Sequence, residues 1–328
     1  MVRKNIAIVG ATGLVGRKML KVLEERNLPI ANIELFASER SEGKILEFQG
    51  KTLTVKKLDE HSFETIDYAL FSAGKEVSLH FSPIAASSGC IVIDNSSAWR
   101  MDTEVPLVVP EVNPDDLLKH KGIIANPNCS TIQLVVILKP IDEKYKLKRV
   151  VVSTYQSISG AGQKGLNKLF SEINDFSLNT NNKIAYNILF HPIKEADGFS
   201  EEEIKMINET RKILHHPNLP IAVTCVRLPT IGGHGESVNI ETESSIELDD
   251  LRNLLRKQKN IVILDWPQND IYPTPEICND KDEVFVGRIR RDNSVLNGFY
   301  IWIVADNVRK GAATNAVQIL ELLIKMKK

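Results

Sequence analysis

The stretch KNIAIVGATGLVGRKMLKVLEE, residues 4–25, decides the fold of this 328-residue chain. It consists of a short β-prone run, a glycine turn and apolar residues at helical spacing, which together predict a strand, a turn and a helix. Gly10, Gly13 and Gly16 allow the backbone to approach a pyrophosphate closely and present the N–H groups of the helix start to it. The spacing is GxxGxxG rather than the commoner GxGxxG, so a tight strand–helix turn without a ligand stays an open alternative.

The second predicted strand, residues 33–37, is where a dinucleotide site recognises the ribose. An NAD site usually places an acidic residue at the end of this strand, but here the chain continues as SERSEGK. Ser38, Arg40 and Ser41 suit a 2′-phosphate, because a guanidinium and hydroxyl groups supply charge-assisted hydrogen bonds. We therefore expect NADP rather than NAD, although Glu39 is the kind of residue that NAD would prefer.

Helices and strands alternate up to about residue 125, which predicts a Rossmann-type, doubly wound parallel sheet. The chain after residue 145 predicts an α+β domain with a mostly antiparallel or mixed sheet. The last helix begins with small residues and is expected to return to the first domain. We thus predict an NADP-binding domain of residues 1–128 and 310–328 and a second domain of residues 129–309. Shorter predicted elements include a strand at 106–109 and a helix at 166–178.

The composition is that of an ordinary soluble protein, with 43% hydrophobic and 25% charged residues. Lys and Arg number 41 and Asp and Glu 42, so the net charge of -1 provides no basic field for nucleic acid or a membrane surface. No signal peptide and no apolar run of roughly 18 residues is present, which predicts a cytoplasmic protein. The four cysteines are scattered without CxxC pairs, which argues against a zinc site and a disulfide framework.

One of these cysteines has a distinctive place. The strand at residues 123–125 runs into Asn126-Pro127-Asn128, and Cys129 then begins an apolar stretch with helical spacing. The unpaired N–H groups and the dipole of a helix start stabilise an anion, so a thiolate is favoured there. A nucleophilic cysteine fits this position, and local sequence equally allows a buried, inert one.

Other candidates for chemistry lie in the second half of the chain. His234 is the only one of seven histidines in a glycine-flanked corner between two predicted strands, and an imidazole with an ordinary pKa of about 6.5 can act as acid or base. The glycines and hydroxyls that follow Gln156 form either an active-site loop or a flexible connection. Glu202 and Lys205 share a face of a helix that Ser200 should cap, and most such pairs are solvated salt bridges.

Together these motifs resemble the aspartate-β-semialdehyde dehydrogenase family over nearly the whole chain. The asparagine–cysteine motif, combined with an arginine seven residues before a histidine, is highly specific. The matching stretches are GATGLVG at 10–16, SERSEGK at 38–44, NSSAWR at 95–100, NPNCSTIQ at 126–133, YQSISGAG at 155–162, EEIKM at 202–206, VRLPTIGGH at 226–234 and NAVQI at 315–319. The loop from Phe190 to Lys194 departs from the family's usual text, and its role stays open.

The resemblance implies a role for each matching residue. Cys129 is the acyl-accepting nucleophile, His234 the acid/base for the hemithioacetal, and Gln156 orients the substrate. The implied substrate contacts are Arg227 to the α-carboxylate, Glu202 to the ammonium, Lys205, Arg100 and Asn128 to inorganic phosphate, and the loop residues Ser159 and Gly160. The expected cofactor contacts are Gly10, Thr12, Gly13, Leu14, Val15, Gly16, Ser38, Arg40, Ser41, Ser72, Ala73, Gly74 and Asn315.

The implied reaction reduces L-4-aspartyl phosphate with NADPH to L-aspartate 4-semialdehyde and phosphate, through a thioester on Cys129. It feeds lysine, threonine and methionine biosynthesis, and the family suggests a homodimer or a dimer of dimers. An N-acetylglutamyl-phosphate reductase is the nearest alternative, but Glu202 would have no ammonium partner there. A non-catalytic NADP-binding paralogue would have no need of the pair Cys129 and His234, and a cysteine hydrolase has no use for the nucleotide turn.

Overall fold

The computed structural model of the protein describes residues 3–175, 182–193 and 197–326. The chain divides into two compact units, the first comprising Met1–Asn128 and Ala312–Lys328 and the second Cys129–Gly311. Part of the segment 179–198, including Lys194, lies outside the described residues. Within those residues, no helix is both long and apolar enough to cross a membrane.

The first unit is built on a six-stranded sheet in which all paired neighbours are parallel, in the order β5-β2-β1-β6-β7-β8. A two-stranded hairpin, β3 and β4, stands beside it. The strands are β1 (Lys4–Val9), β2 (Ile30–Ala37), β3 (Ile45–Phe48), β4 (Lys51–Thr54), β5 (Lys56–Lys57), β6 (Tyr68–Phe71), β7 (Ile91–Asp94) and β8 (Ile123–Ala125). The helices are α1 (Leu14–Arg26), α2 (Lys75–Ser87) and the C-terminal helix Asn315–Met326.

Both faces of this sheet are buried. Ile6 and Ile8 belong to one apolar cluster, with α1 and the C-terminal helix, while Ala7 and Val9 belong to the cluster on the other face, with α2. Alternate residues of one strand therefore serve two cores, as in a doubly wound sheet. The prediction of a Rossmann-type parallel sheet is confirmed.

The predicted strand at 106–109 is wrong. Leu107 forms only an isolated bridge with Ala125. Pro106 and Pro110 enclose this apolar segment, and because proline has no backbone N–H group it cannot donate to a strand ladder.

The second unit contains a seven-stranded mixed sheet in the order β10-β11-β9-β12-β15-β14-β13. The pairs β9/β11 and β13/β14 are parallel and the other four are antiparallel. Its strands are β9 (Leu147–Ser157), β10 (Leu189–Phe190), β11 (Ile221–Leu228), β12 (His234–Thr242), β13 (Ile261–Ile263), β14 (Val284–Asp292) and β15 (Gly298–Ala305). Its helices are α3 (Cys129–Tyr145), α4 (Gly162–Asn174), α5 (Glu201–Ile213), α6 (Leu248–Arg256) and α7 (Pro275–Cys278).

The N-terminal ends of α5 and α4 test two of the local predictions. The Ser200 cap of α5 is confirmed as a complete capping box, in which the Ser200 side chain accepts from the Glu203 N–H and the Glu203 side chain accepts from the Ser200 N–H. Helix α4 begins at Gly162, four residues before the predicted start at 166. The glycine-rich turn thus already belongs to the first turn of that helix.

The register of the second sheet brings distant residues into one row. Gln156 on β9 pairs with Arg227 on β11 on one side and with His234 on β12 on the other. Strand β15 ends at Ala305, which lies opposite His234. A guanidinium, an amide and an imidazole, from strands far apart in the sequence, therefore lie side by side at this edge of the sheet.

Candidate active site

The glycine turn of the first unit leaves no room for side chains. Gly10 has a φ of +84°, and a Cβ atom there would lie 2.4 Å from the carbonyl oxygen of Ser72. A Cβ atom on Gly16 would lie 2.3 Å from the carbonyl oxygen of Gly10. Helix α1 begins after Gly13, and no side chain in the described part of the chain caps it. The open helix start and the close backbone approach fit a bound pyrophosphate.

The loop after β2 presents the residues expected to recognise the ribose. Ser38 and Arg40 are exposed, and Ser41 is buried. The Ser41 hydroxyl accepts hydrogen bonds from the Thr12 hydroxyl at 3.2 Å and the Lys44 Nζ at 3.3 Å. Glu39, the residue that favours NAD, forms an ion pair with Lys57 at 3.2 Å. At the end of β6, Ser72 and Ala73 are half-buried and Gly74 is exposed.

Cys129 is the most accessible thiol of the chain. Helix α3 begins at Cys129, as predicted, and this cysteine is half-buried whereas Cys90, Cys225 and Cys278 are buried. Burial raises the pKa of Cys90 and of Cys278 to about 12. A Cβ atom on Gly311 would lie 2.8 Å from the Cys129 Cβ. The thiol at the helix start is thus the one suited to act as a nucleophile.

The first turns of α3 are bonded to the row of strand-end residues. The Gln156 amide donates to the Ser130 hydroxyl at 3.1 Å and to the Glu202 carboxylate at 3.3 Å. The Gln133 amide donates to the backbone carbonyl of His234 at 3.2 Å. These bonds fix the start of α3, beginning with Cys129, against β9 and β12.

His234 is fully buried. Its Nδ1 accepts a hydrogen bond from the Ser157 N–H at 3.1 Å, and its Nε2 has no hydrogen-bond partner among the described residues. Burial, followed by the positive charge of Arg227, lowers the pKa of His234 to about 3. The imidazole is therefore neutral at physiological pH, with Nε2 left for a ligand.

Arg227 and Gly160 lie beside this imidazole. The Arg227 guanidinium donates to the Ser157 carbonyl at 2.7 Å. Burial lowers its pKa, while the charges of Glu202 and Cys129 act in the opposite direction. A Cβ atom on Gly160 would lie 2.7 Å from Arg227 Nη1 and 3.4 Å from His234 Nε2. Gly160 thus leaves space next to both groups, while the Ser159 hydroxyl is buried and bonded to Ser157 and Asn307.

The acidic and basic residues of α5 are partly paired with each other. Lys205 lies 2.8 Å from Glu201 and 3.7 Å from Glu202. The Glu202 side chain is only 11% exposed and accepts from Gln156. Glu202 is therefore turned toward the row, whereas Lys205 keeps a helix-surface ion pair with Glu201.

Three further expected site residues, beside the nucleotide contacts described above, belong to the first unit. Arg100 is buried and donates to the backbone carbonyls of Asn126 and Asn95, each at 3.0 Å. Asn315 is fully buried and donates to the Asn126 side chain at 2.7 Å and to the Val108 carbonyl at 2.9 Å. Asn128 is buried as well. Asn315 and Arg100 both brace Asn126, at the start of the turn that precedes Cys129.

Sequence reasoning missed three residues near the row. His191 follows β10, whose Leu189 pairs with Arg227, and the charges of Glu202, Arg227 and Lys205 all act on its imidazole. Glu236 is fully buried on β12, two residues after His234, and Asn307 follows β15. The i, i+2 alternation of a strand starting at His234 was the available signal for Glu236. No local pattern marks Asn307.

The two units and the residues of the row indicate the kind of enzyme. A Rossmann-type unit joined to a unit with an accessible cysteine beside a neutral imidazole and a guanidinium is typical of dinucleotide-dependent dehydrogenases that use a thiol. Two family models match, "Semialdehyde dehydrogenase, NAD binding domain" over residues 5–120 and "Semialdehyde dehydrogenase, dimerisation domain" over residues 138–310.

Individual relatives identify the family within this class of dehydrogenases. An aspartate-semialdehyde dehydrogenase of Aquifex aeolicus is 54% identical over 98% of both chains, and one of Bacillus subtilis is 48% identical over 98% of both. A crystal structure of aspartate semialdehyde dehydrogenase II from Vibrio cholerae, complexed with ASA, has a TM-score of 0.96 at 44% identity over 99% of both chains. The chain belongs to the aspartate-semialdehyde dehydrogenase family, as its motifs predict.

A further solved structure bears on the cofactor. An aspartate semialdehyde dehydrogenase with NADP from Candida albicans has a TM-score of 0.78 at 25% identity, over 98% of both chains. The present chain accordingly carries a nucleotide-binding semialdehyde dehydrogenase domain.

Proposed function

We propose that this protein reduces L-4-aspartyl phosphate to L-aspartate 4-semialdehyde with NADPH, releasing phosphate, in the biosynthesis of lysine, threonine and methionine. The observation that carries the proposal is the half-buried Cys129 at the start of α3, bonded through its helix to the row Arg227, Gln156 and His234. An N-acetylglutamyl-phosphate reductase is not favoured, because Glu202 is turned toward this row, where its carboxylate suits the free ammonium of an aspartyl substrate rather than an acetylated amine.

The chemistry follows from the residues of the second unit. The Cys129 thiolate attacks the acyl phosphate, the bond to the phosphate oxygen breaks, and a thioester forms. Arg227 binds the α-carboxylate bidentately, Glu202 holds the ammonium, and Gln156 orients the carbonyl. Bound NADPH supplies the hydride that reduces the thioester. The oxyanion of the resulting hemithioacetal re-forms the carbonyl bond as the C–S bond breaks, which returns the thiolate to Cys129 and releases the semialdehyde.

NADP rather than NAD is our proposal for the cofactor. It is supported by the exposed guanidinium of Arg40, by the neighbouring Ser38 and Ser41 hydroxyls, and by the ion pair that engages Glu39. We assign the pyrophosphate to the turn from Gly10 to Gly16. The other proposed contacts are Thr12, Leu14 and Val15 within that turn, Ser72, Ala73 and Gly74 at the end of β6, and Asn315.

The remaining assignments concern phosphate, assembly and location. We propose Lys205, Arg100 and Asn128 as the phosphate ligands, with Ser159 and Gly160 completing the substrate site. Residues 1–128 and 310–328 would bind NADP and residues 129–309 would carry catalysis and dimerisation, which the descriptions of the two family models support. We propose a cytoplasmic homodimer or dimer of dimers.

The test is an assay of semialdehyde oxidation with phosphate and either NADP⁺ or NAD⁺. Cys129→Ala should lose at least about 10⁴-fold in kcat, since covalent catalysis has no substitute nucleophile. The matched control is Cys90→Ala, which removes a buried thiol of the first unit and should keep full activity. Substantial phosphate-dependent turnover by Cys129→Ala would refute the mechanism, and a preference of the native enzyme for NAD⁺ would refute the cofactor assignment.

A further inference from the structure

Asn307 connects the two segments that flank His234. Strand β15 ends at Ala305, opposite His234, and Asn307 follows two residues later with only 3% exposure. Its Oδ1 accepts hydrogen bonds from the Ser157 hydroxyl, the Ser159 hydroxyl and the Gly233 N–H, each at 3.1 Å. One carbonyl oxygen thus joins the loop after β9 to the residue that precedes His234.

The orientation of the Asn307 amide follows from its partners. The Gly233 N–H is a backbone group and can only donate, so the atom that meets it must be the amide oxygen rather than the amide nitrogen. The two serine hydroxyls can then donate to the same oxygen. The Ser157 hydroxyl also lies 2.8 Å from the Ser159 hydroxyl and 3.2 Å from His234 Nδ1, so its single proton can serve any one of three acceptors, whereas the Gly233 bond always ends on Oδ1.

The groups around Nδ1 determine which ring nitrogen of His234 carries the proton. The Ser157 N–H, which can only donate, points at Nδ1 from 3.1 Å, and the Ser157 hydroxyl, 3.2 Å from the same atom, can donate to it as well, so Nδ1 offers a lone pair. A neutral imidazole that accepts at Nδ1 carries its proton on Nε2. Nε2 is buried without a partner among the described residues and faces the space left by Gly160.

We propose that Asn307 is a positioning residue that, through Ser157, holds His234 as the neutral Nε2–H tautomer, so that His234 serves the reacting oxygen as a hydrogen-bond donor. This inference rests on the proposed function and refines the acid/base role that the family resemblance implies. Protonation of the ring would place a proton on Nδ1, directly against the Ser157 N–H. The arrangement therefore opposes formation of the imidazolium.

A donor is sufficient for the reduction. Hydride adds to the thioester carbon and the carbonyl electron pair moves to oxygen, giving an oxyanion. The oxyanion then re-forms the C=O bond as the C–S bond breaks, and the electron pair returns to Cys129 as thiolate. No proton is gained or lost in these two steps, so Nε2–H needs only to stabilise the oxyanion.

The charged surroundings act in the same direction. Burial and the Arg227 guanidinium disfavour a charged ring, as does His191. The backbone of Gly233 and the Glu202 carboxylate oppose these effects, but the balance still lowers the pKa of His234. An asparagine at position 307, unlike an aspartate, adds no negative charge that would reverse this balance.

The decisive variant is Asn307→Asp, which keeps an oxygen acceptor for all three donors and adds a negative charge. We expect kcat to fall about 10- to 100-fold, with little change in KM, and the kcat profile to gain a limb between about pH 5 and 8 as His234 becomes ionisable. Asn307→Leu should lose kcat without gaining the limb. Asn297→Asp, which adds the same charge elsewhere in the second unit, should leave kcat and its pH profile unchanged.

Nitrogen-15 NMR of the histidine rings tests the tautomer in the native enzyme and does not depend on turnover. The His234 signal, assigned by its loss in His234→Asn, should report a neutral Nε2–H ring throughout the range of about pH 5.5 to 8.5. It should titrate within that range in Asn307→Asp. An Nδ1–H tautomer or a titrating His234 in the native enzyme would overturn the proposal, as would an Asn307→Asp profile identical to that of the native enzyme. A non-aspartate substrate would overturn only the proposed function.

Discussion

The glycine turn of the first unit and the corner around His234 in the second are built on opposite principles. The turn consists of residues within one short stretch, and its close backbone packing depends on side chains being absent at Gly10 and Gly16. The corner consists of buried side chains, and Ser157 bonds to His234 and Asn307, which are 77 and 150 positions away. The turn is a property of the backbone, whereas the corner is a property of the sheet register.

This difference determines what each region tolerates. A backbone site is sensitive to any added Cβ atom and insensitive to the chemistry of its neighbours. A side-chain network is sensitive to the exact donor and acceptor at each position, because a buried polar group that loses its partner is costly. Substitutions in the corner should therefore change catalysis, and substitutions in the turn should change cofactor binding and stability.

The largest effect of the comparison is expected at Arg227. Arg227→Lys keeps the positive charge but loses the planar fork and the bond to the Ser157 carbonyl. We expect kcat/KM for the semialdehyde to fall by about 10²- to 10³-fold, with the affinity for NADP unchanged. Steady-state kinetics and cofactor titration measure the two quantities. Arg256→Lys, at the end of α6, is the control, and a variant within threefold of the native enzyme would contradict the assignment of Arg227.

The next largest effect is expected in the glycine turn from Gly10 to Gly16. In Gly16→Ala the new Cβ atom meets the backbone oxygen of Gly10 at 2.3 Å, so α1 must shift away from β1. We expect a loss of about 1–3 kcal/mol in the free energy of unfolding and weaker binding of NADP, with kcat retained at saturating cofactor. Gly13→Ala offers a graded comparison, because its Cβ would lie 3.3 Å from the same oxygen. Equal effects at both positions would show that the close approach is not the cause.

The same contrast explains what could be predicted from the sequence. The glycine turn, the helix start at Cys129 and the Ser200 cap depend on neighbours within a few residues, and the sequence was sufficient for each. The predicted strand at 106–109 does not form because Pro106 and Pro110 cannot donate to a strand ladder. Asn307 and Glu236 depend on which strands lie side by side, and no spacing in the chain encodes that register. His191 became interpretable only when Leu189 was found opposite Arg227.

A smaller effect is expected at the outer edge of the nucleotide site. Arg40→Gln removes the exposed guanidinium proposed to bind the 2′-phosphate but keeps a polar side chain. We expect KM for NADP⁺ to rise about tenfold, as for the loss of one charge-assisted hydrogen bond, with no change in KM for NAD⁺ or in kcat. Lys57→Gln, which instead releases Glu39 from its ion pair, should change the KM values for NADP⁺ and NAD⁺ much less. A parallel rise for NADP⁺ and NAD⁺ would contradict a 2′-phosphate contact.

The smallest effect on activity is expected at Glu236, but this residue should change how the free energy of unfolding depends on pH. Burial raises the pKa of this carboxyl well above its ordinary value of 4.5, and Gln133 offsets only part of that shift. Among the described residues neither Glu236 oxygen has a hydrogen-bond partner, and the same holds for Gln133 Oε1. The folded protein therefore keeps Glu236 protonated to a higher pH than the unfolded chain does.

This difference makes the folded state lose stability as the pH rises above 4.5, since the unfolded chain then binds fewer protons than the folded one. Glu236→Gln cannot ionise and keeps a donor for Gln133. The difference in the free energy of unfolding, Glu236→Gln minus the native protein, should be smallest near pH 4.5 and should increase up to pH 8. Urea titrations at several pH values measure this difference. His234 is neutral in the folded state of both proteins and titrates only in their unfolded chains, so its contribution cancels. Parallel curves for the two proteins would show that Glu236 is ionised in the folded state.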